Sequence, residues 1–245
     1  MKNFQLTIEY DGTHYHGWQR QKKDITIQAT IENVLHLMTR QRINLIGSGR
    51  TDAGVHALGQ VAHFKCNTRL NAETFLKGLN SQLPDDIVIK TCQQVSETFH
   101  ARFDAKSKIY HYRILNHPLP SALLRCYTWH IRTPLNTTAI KKACRSLLGL
   151  HDFKAFEGAG SPRNHTQRNI ITAKWTINDM DIHQFCIEAD GFLHYMVRNI
   201  VGTLINVGIG KITPEKFGQI LISKDRNHAG ATAPPNGLYL VQVKY

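Results

Sequence analysis

The chain has 245 residues, 42% of them hydrophobic and 20% charged, with 30 Lys and Arg against 18 Asp and Glu. A chain this long buries roughly three quarters of the surface exposed when unfolded. Its composition excludes low-complexity disorder, a collagen-like repeat and a Cys-stapled mini-protein. The formal net charge of +12 favours a polyanionic partner, and its basic residues are spread along the chain (Lys22-Lys23, Lys106 to Lys108, Lys141-Lys142, Arg163 to Arg168), as suits a folded cleft better than a basic tail.

No apolar run approaches the ~18 residues of a membrane-spanning helix. The segment Met1 to Leu6 reads as a strand and lacks the apolar core of a signal peptide, so a cytoplasmic location is expected. Cys66, Cys92, Cys126, Cys144 and Cys186 are scattered and odd in number, which reads as reduced core thiols. The histidines show no H-E-x-x-H or paired Cys/His spacing, and His14 and His16 have no third ligand nearby in sequence, so no metal site is expected.

Along the chain, Phe4, Leu6, Ile8 and Tyr10 alternate with polar neighbours, the period of a half-buried strand ended by Asp11-Gly12. Ile27, Ile31, Val34, Leu35 and Met38 follow at helical spacing, with Asp24 or Thr26 as the cap. Ile43 to Ile46 read as a strand running into Gly47-Ser48-Gly49, and Gln60 to Lys65 as another. Asn71 to Leu83 read as a helix stopped by Pro84, followed by strands over Ile87 to Val95 and Ile109 to Leu115. Thr137 to Leu148 read as a helix ended by Gly149. Ile170 to Ile177 and Ile182 to Ala189 form a hairpin pair turning through Asn178-Asp179. Leu193, Met196, Val197, Ile200, Val201, Leu204 and Ile205 make an apolar helical stripe, with His194 and Arg198 four apart on its margin. Thr213-Pro214-Glu215 opens a last helix, and Leu238, Leu240 and Val243 mark a closing strand. The polar, basic stretch Gly158 to Asn169 reads as a mobile loop.

These elements describe an α+β chain of two similar mixed halves, with largely antiparallel sheets flanked by helices. The division is expected near residue 105, giving halves 1–105 and 106–245 with the active-site cleft between them.

The densest unusual stretch is Gly47-Ser48-Gly49-Arg50-Thr51-Asp52-Ala53-Gly54-Val55-His56-Ala57. Its glycines allow sharp bends and close approach to a ligand around one cation and one carboxylate. The Walker pattern is absent, and Asp52 stands where a dinucleotide fingerprint needs its last glycine. In extended backbone, residues two apart point the same way, so the Arg50 guanidinium would sit beside Asp52 and favour its ionised form. Such a carboxylate serves as a nucleophile or a general base. The plain alternative is a turn carrying a surface ion pair.

Gly49 to Ala57, GRTDAGVHA, closely resembles the signature of the TruA family of tRNA pseudouridine synthases. Companion blocks follow in order: Tyr10-Asp11-Gly12 with Gly17 to Gln21, Gly59 to Phe64, Phe99 to Phe103, Lys108 to Tyr112, His194 to Gly202, and Gly237 to Leu240. The resemblance covers nearly the whole chain. It implies conversion of uridine to pseudouridine in tRNA, at positions 38, 39 and 40 of the anticodon stem-loop, by a homodimer. The glycosidic bond moves from nitrogen to carbon on the same base, so no cofactor is implied. Asp52 matches the essential carboxylate. Arg50 matches the arginine that pairs with it and holds the flipped-out nucleotide. Tyr110 matches the tyrosine on the target uracil, with Tyr112 the core member of that pair. Arg198 matches an arginine near the carboxylate, its plain alternative being a solvated helix charge. Leu238 fits an apolar wall beneath the base, or simply core.

Other residues read more plainly. His56 and His63 are expected to be satisfied structural histidines. Trp18 is expected in the core or a dimer contact rather than against a base. Lys22 and Lys23 lie in a loop, as a phosphate contact or as solvated charge. Thr13 to His16 is an unusual filler between the first two blocks. The rival function is a non-catalytic RNA-binding module, which has no need of a Gly-flanked Arg-x-Asp. A methyltransferase would need a cofactor loop that the sequence lacks.

Overall fold

The computed structural model describes residues 1–158, 160, 165–178 and 181–245. In chain order the elements are β1 (Lys2–Tyr10), α1 (Ile27–Thr39), β2 (Ile46–Gly47), β3 (His56–Cys66), α2 (Ala72–Gln82), β4 (Ile87–Val95), β5 (Ser107–Asn116), β6 (Trp129–Ile131), α3 (Thr137–Arg145), β7 (Gly149–Asp152), β8 (Gln167–Ile177), β9 (Ile182–Ala189), α4 (Met196–Gly208), α5 (Pro214–Ser223) and β10 (Leu238–Lys244). The fold is α+β. Among the described residues, no helix is long and apolar enough to cross a membrane.

Two compact units form, Met1–Lys106 with Tyr239–Tyr245, and Ser107–Leu238. Chain order alone places the closing strand with the second half. The structure gives it to the first, because Tyr239 and Leu240 pair in parallel with His56 and Ala57 of β3. Alternation announces a strand but does not say which neighbour it will find.

In the first unit β1 lies between β4 and β3, antiparallel to both. Phe4, Leu6, Ile8 and Tyr10 all point to the buried face, as their spacing requires. That face receives α2 through Phe75, 4.9 Å from Phe4 and 5.2 Å from Phe64 between ring centroids. Burying each such ring contributes about 1.5–3 kcal/mol. Thr26, not Asp24, caps α1 by accepting the Ala29 N–H, and Asn71 caps α2. The strand expected over Ile43 to Ile46 shrinks to Ile46–Gly47. Ile43 and Leu45 are buried, yet Leu45 donates its N–H to Glu32 Oε1, and its carbonyl accepts from Gln28 Nε2. Side chains of α1 thus replace a neighbouring strand as backbone partners.

In the second unit the strand order is β5-β9-β8-β7, all antiparallel, with β6 parallel to β5. The short strands β6 and β7 escape a periodicity reading because they are too brief to show one. α3 stops at Arg145 rather than Leu148, and Gly149 then takes φ +90°. α4 begins at Met196, after Tyr195 in the left-handed region at φ 58°, so Leu193 and His194 lie outside the helix. Gln167–Asn169, expected in the mobile loop, belong to β8 and pair with β7. The rest of that expectation at Ala159 and 161–164, and the Asp179 part of the hairpin turn, fall outside the described residues. Cys66 and Cys144 are buried, whereas Cys92, Cys126 and Cys186 are half-buried rather than core.

The segment between β1 and α1 packs backbone to backbone on the loop between β2 and β3. Trp18 donates its N–H to the Thr51 carbonyl at 3.1 Å, and Gly54 donates to the Tyr15 carbonyl at 3.2 Å. Gly12 and Gly17 permit this approach. A Cβ on Gly12 would lie 2.0 Å from the Val55 carbonyl oxygen, and one on Gly17 (φ +84°) 2.6 Å from that of Thr51. Gly210 shares the left-handed backbone (φ +74°) with nothing within 4 Å of its Cβ position. Gly17→Ala and Gly210→Ala should both lose about 1–2 kcal/mol for the backbone conformation. Gly17→Ala should lose a further ~1–3 kcal/mol for the clash. Urea midpoints of the two variants check this, and equal losses would refute the close-approach argument.

His63 on β3 is 3% exposed. Its Nδ1 accepts the Ala101 N–H at 3.1 Å. Burial, with His100 and Lys65 adding repulsion, pushes the imidazole down from 6.5 to about 4. Between those pH values the unfolded chain binds a proton that the folded chain refuses, so stability falls on acidification through this window and is unaffected above it. The full loss amounts to about 3 kcal/mol. The drop in urea midpoint from pH 7 to pH 4 should therefore be smaller in His63→Gln than in the parent; identical drops would exclude His63 as the source.

Candidate active site

The GRTDAGVHA stretch runs through the turn after β2 into the first two residues of β3. Asp52 opens a tight turn closed by Val55 N–H donating to the Asp52 carbonyl at 3.2 Å, with Gly54 at φ +75°. The Asp52 side chain is half-buried and that of Arg50 is exposed. The loop is fixed from beneath by neutral polar groups. Tyr10 and Thr51 share a buried hydroxyl–hydroxyl hydrogen bond of 2.7 Å. Burial drives the Tyr10 hydroxyl well above the ordinary tyrosine range and keeps it protonated. Ser48 donates to Gln60 Oε1 at 2.7 Å, and Gln60 Nε2 donates to the Gly49 carbonyl at 3.0 Å.

Arg50 departs from the sequence expectation. Its Nε donates to Gln19 Oε1 at 3.0 Å. A shared direction with Asp52 requires a strand, but β2 ends at Gly47 and β3 resumes at His56. Residues 50–52 are therefore free of the two-residue alternation. Gln19 in turn donates to Gln28 Oε1, and Gln28 to Glu32 Oε1, linking the Arg50 side chain to α1. Arg20 closes the same network on Glu32 Oε2 at 2.6 Å.

The two histidines of the motif region have structural surroundings. His56 is buried; its Nδ1 lies 3.1 Å from Gly12 N and 3.1 Å from Asp11 Oδ1, and its ring stacks on Tyr239. His63 sits against Phe99 and His100. Trp18 is core, its indole packed over Gly47. Asp11, Tyr10, Thr51 and Gln60 are the site residues that a residue-by-residue sequence reading passes over. All four stand in recognised blocks, but only the folded chain brings their polar groups together around the loop.

The remaining candidates belong to the second unit. Tyr110 is buried on β5, edge-on to Phe192 at 5.0 Å. Tyr112, two residues along the same face, is fully buried and donates its hydroxyl to the Pro234 carbonyl at 2.7 Å, the core role expected of it. Arg198 does not share a helix face with His194, since the helix starts after that residue. Its Nε donates to the Ala233 carbonyl at 2.7 Å and its guanidinium lies 4.8 Å over the Tyr195 ring, which itself stacks on His194. Leu238 is buried at the start of β10. A cavity of about 470 Å³ in this unit is lined by Glu157, Tyr195, Asn199, Arg226 and Thr232. Arg226 is engaged by its walls, through the Gly230 carbonyl, Asn199 Oδ1 and Thr232 Oγ1. Among the described residues, no group of three or more His, Cys, Asp or Glu is placed to hold a metal ion.

A family model described as tRNA pseudouridine synthase matches residues 6–104 and 143–245. The chain is 49% identical over 245 residues to tRNA pseudouridine synthase A of a Thermoanaerobacter species, covering all of both chains. It is 50% identical over 245 residues to the protein of that name in Acetivibrio thermocellus, and 45% identical to that of Caldicellulosiruptor saccharolyticus, again end to end. The match takes in the Asp52 loop and the segment between β1 and α1 that braces it, and it extends through each of the two units: the chain belongs to the tRNA pseudouridine synthase family.

Proposed function

We propose that the chain is an isomerase that converts uridine to pseudouridine in tRNA, at positions 38, 39 and 40 of the anticodon stem-loop, with Asp52 as its essential carboxylate. The observation that carries the reading is the placement of Asp52: a half-buried carboxylate at the head of a turn whose backbone is braced by Tyr15 and Trp18. The reaction breaks a bond from ribose to nitrogen and makes one from ribose to carbon, with no atoms gained or lost. A carboxylate serves it by attacking the ribose, attacking the base, or abstracting a ribose proton, and each route needs Asp52 ionised and held still.

The other candidates take supporting roles in this reading. A uridine inside a stem must leave its stack, at a cost of a few kcal/mol. Arg50, exposed and steadied by Gln19, holds the extruded nucleotide. Tyr110, Arg198 and Leu238 are the further substrate-binding residues of this reading. The protein works in the cytoplasm as a homodimer, which doubles the basic surface offered to one tRNA.

Asp52→Asn should lower pseudouridine formation at least about 10²-fold while tRNA binding is largely retained. Mapping pseudouridines in an unmodified tRNA transcript, alongside a binding titration, reads both. Turnover unchanged by the substitution would remove the assigned role, and no pseudouridine from the parent protein would favour the RNA-binding module. Affinity should fall steeply with salt, by orders of magnitude between about 50 and 200 mM if several phosphates are neutralised. A flat response in the same titration would exclude an interface built on the chain's positive charge.

A further inference from the structure

The turn from His100 to Asp104 carries an exposed aromatic ring that the fold holds in place without using it as core. Phe103 is 73% exposed. Its ring stacks on His100, with centroids 4.2 Å apart and planes 28° from parallel. The Arg102 guanidinium carbon lies 5.5 Å from the same ring centroid. The turn beneath is closed on itself. His100 Nδ1 accepts from the Arg102 and Phe103 N–H groups at 3.2 and 3.3 Å, and the His100 N–H donates to Asp104 Oδ2 at 2.9 Å. It is also clamped to the unit. Ala101 donates its N–H to the buried His63, and its carbonyl accepts the Tyr245 hydroxyl at 2.7 Å.

An apolar ring left in water contributes little to folding through burial. Ordering it beforehand lowers the entropy lost when something binds to it. The surrounding charge favours an anionic partner. Lys65 lies two residues along β3 from His63, on the same face, and Lys106 donates its N–H to the Lys244 carbonyl beside the same turn. With Arg102, all these side chains are exposed, and Asp104 is the one acid within the turn. A flat hydrophobic ring among cations is the combination that single-stranded nucleic acid recognises: bases stack on the ring and phosphates meet the cations.

We propose that His100–Asp104 is a base-stacking subsite for RNA, separate from the Asp52 loop. Phe103 takes the face of an unpaired nucleobase and Arg102 bonds the adjoining phosphate or covers the base. The proposal rests on the reading of tRNA as substrate, and it assigns Phe103 and Arg102 to grip rather than chemistry.

Phe103→Trp tests it directly. Position 103 is exposed, so the variant folds, and stacking on a base quenches indole emission. Adding unmodified tRNA transcript should quench the emission gained by this variant beyond any change in the parent's own tryptophans. Phe103→Ala should raise KM for the transcript roughly 5- to 50-fold with kcat at saturation unchanged, and Phe103→Tyr should restore the parent value. Arg102→Gln should weaken binding and reduce its salt slope by about one charge. Emission indifferent to tRNA, with KM unmoved in Phe103→Ala, would overturn the subsite. So would a change in oligomeric state by light scattering in Phe103→Ala, which would assign the ring to a contact with a second copy. Quenching in Phe103→Trp by tRNA that the parent never isomerises would sustain the subsite while removing the enzymatic reading.

Discussion

The approach of two stretches of main chain to each other governs the presentation of the acidic loop. The 51–55 turn lies against residues 12–18 so closely that Gly12 and Gly17 leave no space for a methyl group. In return the turn gains backbone hydrogen bonds through Thr51 and Gly54. A loop in solvent samples many backbone states, whereas one whose polar groups are satisfied on both sides has few. Asp52 thus projects from a fixed frame although it sits in no helix or strand. The frame is itself tied to α1, since the amides of Ile27 and Gln28 donate to the carbonyls of Gly17 and Trp18.

The groups under the loop are chiefly uncharged. Tyr10, Thr51, Ser48 and Gln60 bond to one another or to the loop backbone, and His63 further along β3 is held neutral by burial. Ionised side chains in the same places would need compensating partners. A bed of satisfied neutral dipoles orients the turn at no such cost. The exposed cations meanwhile supply the long-range field of a +12 chain. Rigid positioning and attraction of a polyanion are therefore assigned to different sets of residues.

Much of the fold is legible from spacing. The alternation at Phe4, Leu6, Ile8 and Tyr10 predicts both the strand and its buried face, and Thr213-Pro214-Glu215 announces the last helix; of the two caps open for α1, Asp24 and Thr26, the structure uses Thr26. The misreadings share one cause, competition from partners distant in sequence. Leu45 has a strand-like environment but bonds to Gln28 and Glu32 of a helix. His194 matches the helical stripe, yet its carbonyl accepts the Gly158 N–H and Tyr195 turns left-handed before the helix begins. The alternation that would set Arg50 beside Asp52 requires a strand that does not extend that far, and the Arg50 side chain turns to Gln19 instead.

The amino-acid sequence by itself determined most of the longer elements, their buried faces and the family, because periodicity, capping chemistry and a nine-residue motif are local patterns that survive without coordinates. It also singled out Asp52, through the glycines around it. Only the tertiary structure decided what that loop rests on, which residue receives the Arg50 guanidinium, and that β10 joins the first unit beside β3. Those outcomes depend on hydrogen-bond partners and steric contacts between residues far apart in the chain, such as Gly17 with Thr51 and Tyr239 with His56. A linear pattern does not encode such pairings one residue at a time; they follow from satisfying all the buried polar groups at once.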